Sequence, residues 1–203
     1  MEPSPHVKAE EAEWLIKEIS SDLTHADGLA ICGTYPPGIP DDCYAKFVRT
    51  AVESGTMVLL DSFMHVEKAL QYPVDILKVN REELCQITGV EDLKQAILKA
   101  FEIFKIRHLA VTEGSSFAWF GDREKNLWRS AVPAIPKAVN TIGSGDVCSA
   151  VMLSEIISGT APLEAFRYGL AAASANCLTD SPGVFEREKA FELFPFTDYI
   201  KEN

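Results

Sequence analysis

The sequence predicts an α/β fold, with a mostly parallel β-sheet and helices on both faces. Three observations carry the prediction. Short apolar runs that suit buried strands alternate with longer stretches whose apolar residues recur at helical spacing. No internal repeat and no low-complexity linker divides the 203 residues, so residues 1–203 are expected to form a single domain. A hydrophobic content of 47% is enough to fill a sizeable core.

Residues 8–24 read as a charged amphipathic helix carrying Trp14, Leu15 and Ile19. GLAICG (28–33) is a short apolar run that suits a buried strand. In DDCYAKFVRTAVESG (41–55), Tyr44, Phe47, Val48, Ala51 and Val52 stand at helical spacing; an aspartate opens the helix and Gly55 stops it. TMVLLDS (56–62) and VDILKVN (74–80) follow as strands, with a helix expected between them. Two helices share 81–106 and break near Gly89. HLAVT (108–112), FAWFG (117–121) and LWRSAVP (127–133) are three further strands, with GDREKN (121–126) as a solvated hairpin loop. Helices fill 144–158, 162–178 and 185–194. Helical crossovers between strands imply parallel pairing. Ligands of such sheets sit beyond the carboxyl ends of the strands, so the candidate loops follow Cys32, Asp61, Val79 and Val111, together with the turn before Asp146.

The formal charge is −11, from 19 basic and 30 acidic residues, which argues against general binding of nucleic acid or an anionic membrane surface. An anionic ligand would have to be drawn by helix ends, one or two lysines or a metal ion. The five cysteines (Cys32, Cys43, Cys85, Cys148, Cys177) are odd in number, widely spaced and free of any CxxC pair. With four scattered histidines they read as reduced thiols of a cytoplasmic protein, not as a zinc site or a disulfide frame. No signal peptide or membrane span is expected.

The segment VNTIGSGDVCSAVMLSEIISG (139–159) sets Gly143, Ser144 and Gly145 before Asp146 and a mostly apolar helix. Glycines let the backbone turn with positive φ and let a ligand approach. Successive amides at a helix amino terminus form an anion-binding concavity, reinforced by about half a unit of positive charge. An adjacent carboxylate can accept a proton from an alcohol, so the pair suits phosphoryl transfer. On these residues alone Asp146 reads more simply as an ordinary helix-start carboxylate. A dinucleotide fingerprint lacks its third glycine, with Cys148 in that place; GxxxxGK[ST] and GxSxG are absent.

NTIGSGD resembles the carboxyl-terminal signature of the ribokinase-like (PfkB) carbohydrate kinases. LKVNREEL (77–84) resembles the family's Lys-Pro-Asn strand end with its Asn-x-x-Glu element, Val79 replacing the proline. LAVTEG (109–114) resembles the nucleotide-holding strand and turn. ICGTYPPGIPDDCYAKFV (31–48) resembles the Gly-Ser-Leu-Pro-Pro-Gly loop of the 1-phosphofructokinase and tagatose-6-phosphate kinase branch, and Asn140 agrees with that branch. AASANCLTDSPGVF (172–185) resembles the small-residue helix and loop near the adenine. The motifs occur in the family's order.

The resemblance implies a three-layer α/β/α ribokinase-like fold that binds ATP and Mg²⁺ and phosphorylates a primary hydroxyl of a small sugar or sugar phosphate. It implies Asp146 as the catalytic base, with the amides of Gly143, Ser144 and Gly145 cradling the transferred phosphoryl group. Asn80 and Glu83 would organise magnesium, Lys78 would meet a phosphate, and Thr112, Gly114 and Asn176 would line the nucleotide pocket. Gly33, Thr34 and Gly38 would face the sugar. Phe117 stands where many relatives have a second glycine. The match opens at MEPSPHVKAEEAEW, which resembles the middle of such a kinase. The first strands and the lid are therefore expected to be missing at the amino-terminal side, leaving a sheet edge open to a second copy or a complementing chain. A noncatalytic nucleotide-binding remnant and a dinucleotide-dependent enzyme are the competing readings.

Overall fold

The computed structural model describes residues 4–202; residues 1–3, where the family resemblance opens, lie outside them. Among the described residues seven α-helices and seven strands follow in the order α1 (Ala9–Asp22), β1 (Gly28–Cys32), α2 (Cys43–Ser54), β2 (Met57–Asp61), β3 (Val74–Asn80), α3 (Arg81–Thr88), α4 (Leu93–Ile103), β4 (Ile106–Glu113), β5 (Phe117–Asp122), β6 (Leu127–Ala131), α5 (Ser144–Ile157), α6 (Pro162–Asn176), α7 (Arg187–Leu193) and β7 (Tyr199–Glu202). One sheet holds all seven strands in chain order, with β1 and β7 at its edges.

Period-two alternation divides the core into two apolar layers. Val58, Leu60, Leu77, Val79, Leu109, Val111 and Trp119 join one cluster with α2, α3 and α4 residues such as Phe47, Val48, Leu84 and Ile97. The intervening Leu59, Ile76, Ala110, Ala118 and Phe120 join Cys148, Met152, Leu153, Phe166 and Leu170 of α5 and α6 on the other face. The result is a three-layer α/β/α arrangement. Helix α5 lies close to α6 because position 169 is glycine: a Cβ there would stand 2.7 Å from the Cys148 carbonyl oxygen.

Three expectations are corrected. The sheet is mixed: β1 to β4 pair in parallel, whereas β4–β5, β5–β6 and β6–β7 are antiparallel. The links Gly114–Ser116 and Arg123–Asn126 are too short for the crossover that parallel pairing requires, so hairpins are the only outcome. The segment between β2 and β3 holds a short 3₁₀ turn, Ala69–Gln71, instead of a full helix. His65 there has φ 57°, and Pro73 blocks continuation. The terminal strand β7 was not anticipated; β6 supplies its pairing.

Candidate active site

Helix α5 begins where the sheet's strands end. Gly143, at φ 81°, is its N-cap, and a Cβ there would sit 2.8 Å from the Gly183 amide nitrogen. The turn is held by Asn140, whose Oδ1 accepts from the Ile142 amide at 2.9 Å and whose Nδ2 donates to the Asp180 carbonyl at 3.1 Å. The Ser144 amide and hydroxyl both donate to the Thr141 carbonyl, at 3.3 and 2.9 Å. Among the described residues the amides of Gly145 and Asp146 make no hydrogen bond, as first-turn amides of a helix have no intrahelical acceptor. They are the donors free for an anion.

Two cavities meet at this helix end. The larger, about 680 Å³, is lined by Asn80, Thr112, Gly114, Ser144, Gly145 and Ser174, with the 132–138 loop forming much of its wall. The smaller, about 230 Å³, is lined by Gly33, Thr34, Asp61, Lys78, Glu83 and Asp146. Asn80, Thr112 and Gly145 border both. Asp146 is exposed and faces only the smaller one.

Asn80 is the N-cap of α3. Its Oδ1 accepts from the Glu83 amide at 2.9 Å, and Glu83 Oε2 accepts from the Asn80 amide at 2.8 Å. This reciprocal capping box fixes both side chains at the cavity wall. Lys78 is buried, and its Nζ donates to Asp61 Oδ2 at 2.8 Å. Ser149 Oγ donates to the same oxygen at 2.6 Å. Burial works to lower the Lys78 pKa, yet Cys148 and Asp61 outweigh it and the net shift is upward. At neutral pH Asp61 is the decisive partner, because burial pushes the Cys148 thiol up to about 11 and keeps it uncharged. Lys78 lies just beneath the helix start: its Nζ would be 3.7 Å from a Cβ placed on Gly145.

Two residues singled out from sequence stand away from both cavities. Gly38 turns at φ 99° against the amino-terminal segment, where the Val7 amide donates to the Pro37 carbonyl at 2.8 Å. Asn176 is buried, and its Nδ2 donates to the Ser181 and Val184 carbonyls at 3.3 and 2.7 Å, tying down the loop after α6. Sequence reasoning pointed to the loop after Asp61 but gave Asp61 itself no role, and it overlooked Ser149 and the 132–138 loop. A carboxylate closing an apolar strand was the one available signal.

Residues 4–188 match the pfkB family of carbohydrate kinases. The chain belongs to that family. A tagatose-6-phosphate kinase from Staphylococcus epidermidis is 28% identical over 211 residues, covering 99% of this chain and 67% of that protein. Among solved structures, Escherichia coli phosphofructokinase-2 in complex with potassium superposes with a TM-score of 0.83 at 22% identity, over 97% of this chain and 65% of that one. Arabidopsis thaliana ribokinase complexed with ribose and ATP gives a TM-score of 0.76 at 21% identity, over 89% and 59%. These likenesses establish a ribokinase-like fold. The chain thus spans 59–67% of the length of these relatives. No helix among the described residues is long and apolar enough to cross a membrane.

Proposed function

We propose that this chain carries the nucleotide side and the proton acceptor of an ATP-dependent sugar or sugar-phosphate kinase. The observation that carries the reading is the position of the α5 amino terminus. It presents two free amides where a nucleotide-sized cleft meets a small cavity, and a carboxylate on the small-cavity side. In this reading ATP lies in the larger cleft with its terminal phosphate at the amides of Gly145 and Asp146, and Gly143 shapes the turn. The acceptor hydroxyl enters the smaller cavity between Gly33, Thr34 and Asp146. Asp146 accepts its proton as the oxygen attacks phosphorus.

Glu83 and Asn80 fit a hydrated magnesium ion. Glu83 Oε2 is used in the helix cap, which leaves Oε1 to accept from metal-bound water, while the single side-chain oxygen of Asn80 already accepts from the Glu83 amide and reaches the ion only through a second lone pair to its hydration water. When bound, the ion supplies charge neutralisation for the phosphates. Lys78 acts from beneath: held by Asp61, whose Oδ2 also accepts from Ser149 of α5, it adds positive potential under Gly145. The GTYPPG loop and the likeness to a tagatose-6-phosphate kinase favour a phosphosugar acceptor. Strand β1, which pairs only with β2 among the described residues, is where a further segment or a second chain would add to the sheet.

The test is ADP formation from Mg-ATP with a panel of hexose phosphates. Turnover that falls by about 10²–10⁴-fold in Asp146→Asn, with ATP-induced thermal stabilisation retained, is the expected result. Stabilisation by ATP without ADP formation would instead mark a chain that binds nucleotide only.

A further inference from the structure

We propose that Cys32, Asp61 and Asp146 form a binding site for a thiophilic divalent cation such as Zn²⁺. Cys32 Sγ and one carboxylate oxygen from each aspartate all lie within 4.8 Å of one another. Ligand atoms around tetrahedral zinc stand about 3.3–3.7 Å apart, so small side-chain rotations complete the set. The backbone makes this convergence a property of the fold. Cys32 and Asp61 are registered neighbours across the parallel β1–β2 ladder, and the Gly33 amide donates to the Asp61 carbonyl at 2.8 Å. Asp146 opens the helix that packs on both strands; a Cβ on Gly28 of β1 would stand 2.6 Å from Ile157 Cδ1 of α5.

The supporting contacts are also present. Lys78 and Ser149 both donate to Asp61 Oδ2, which fixes the carboxylate rotamer and leaves Oδ1 for the ion. The lysine opposes a cation, but Asp61, Asp146 and Glu83 around the same small cavity outnumber it. Burial, then Asp61 and Asp146, push the Cys32 thiol up to about 11. On binding, M²⁺ takes the Cys32 sulfur as Cys–S⁻ and one H⁺ leaves to solvent, a proton release that the charges of Asp61 and Asp146 around the ion help to drive. A sulfur ligand selects zinc, cadmium or cobalt over magnesium. On the kinase reading, Asp146 becomes a metal ligand and is lost as a base, so this ion would inhibit.

The experiment titrates the nucleotide-free protein with Co²⁺ and reads the near-ultraviolet thiolate-to-cobalt charge-transfer band. One saturable site per chain is expected, displaced by Zn²⁺, with the band lost in Cys32→Ser and affinity lowered about tenfold or more in Asp146→Asn. The other four cysteines remain in Cys32→Ser, so a band that persists there overturns the proposal. So does the absence of a band in wild type at up to about 1 mM Co²⁺, or unchanged affinity in Asp146→Asn. The readout requires no turnover, so the metal site and the kinase reading stand or fall separately.

Discussion

Replacing Asp61 by Asn strands the Lys78 ammonium. Lys78 is 3% exposed, and Asp61 is its one ion-pair partner among the described residues. Removing one member of a buried pair costs about 3–5 kcal/mol, because the remaining charge is left uncompensated in a poorly solvated place. The amide oxygen of Asn can still accept from Nζ, so the lower figure, about 3 kcal/mol, applies. Unfolding entropy of about 2.1 cal/mol/K per residue over 203 residues is about 0.43 kcal/mol/K, so the melting temperature should fall by about 7 °C. The assay is calorimetry at neutral pH on wild type, Asp61→Asn, and Asp61→Asn with Lys78→Met. The double variant removes both charges and should recover more than half of the loss, since a buried pair is often no better than an apolar replacement. A fall of less than about 2 °C in the single variant, or no recovery in the double, would refute the claim that Lys78 is held by Asp61.

Gly143→Ala forces a side chain into left-handed backbone, with its Cβ 2.8 Å from the Gly183 nitrogen; a loss of about 2 kcal/mol by urea unfolding is expected, together with weaker ATP stabilisation. Cys32 reaches solvent, yet with its pKa near 11 it should be alkylated by iodoacetamide at pH 8 about tenfold more slowly than a thiol of pKa 9, the smaller thiolate fraction being partly offset by the greater nucleophilicity of the more basic thiolate, and Asp146→Asn should speed the reaction. Cys32, Cys43 and Cys148 are each raised from 9.0 to about 11 in the fold. The stabilisation linked to their protonation is complete below about pH 9 and is lost toward pH 11, so the urea midpoint should fall across that window.

Most of the architecture was readable because apolar period and local caps agree. Gly55 and Gly89 close α2 and α3 in the left-handed region, as their positions in the sequence suggest, and Asp92 caps α4 through the Gln95 amide. The segment before β3 misled because Val66, Ala69 and Leu70 are buried at helical spacing while the backbone between them forms only a short turn. Strand β7 was invisible because Tyr199–Glu202 is largely exposed and has no apolar alternation; its existence depends on a partner far away in sequence. In the site, the Gly143–Asp146 turn announces itself locally. The Asp61–Lys78–Ser149 group does not, because its members stand 17 and 88 residues apart and only the fold relates them. Asn176 illustrates the converse: a buried amide reads as a ligand contact in sequence, whereas here its hydrogen bonds go to neighbouring backbone.

Because β2 to β6 each lie beside their predecessor, those strands can be added by accretion as the polypeptide lengthens, each docking on the last through a local closure. The exceptions are β7 and the helix at 144–157, and the helix must reach back across more than a hundred residues to β1 and more than eighty to β2. Everything that depends on it, including the meeting of Asp146 with Cys32 and Asp61, comes into being late in that sequence of events. A nascent chain arrested before that helix would already hold a paired sheet yet have no reaction centre.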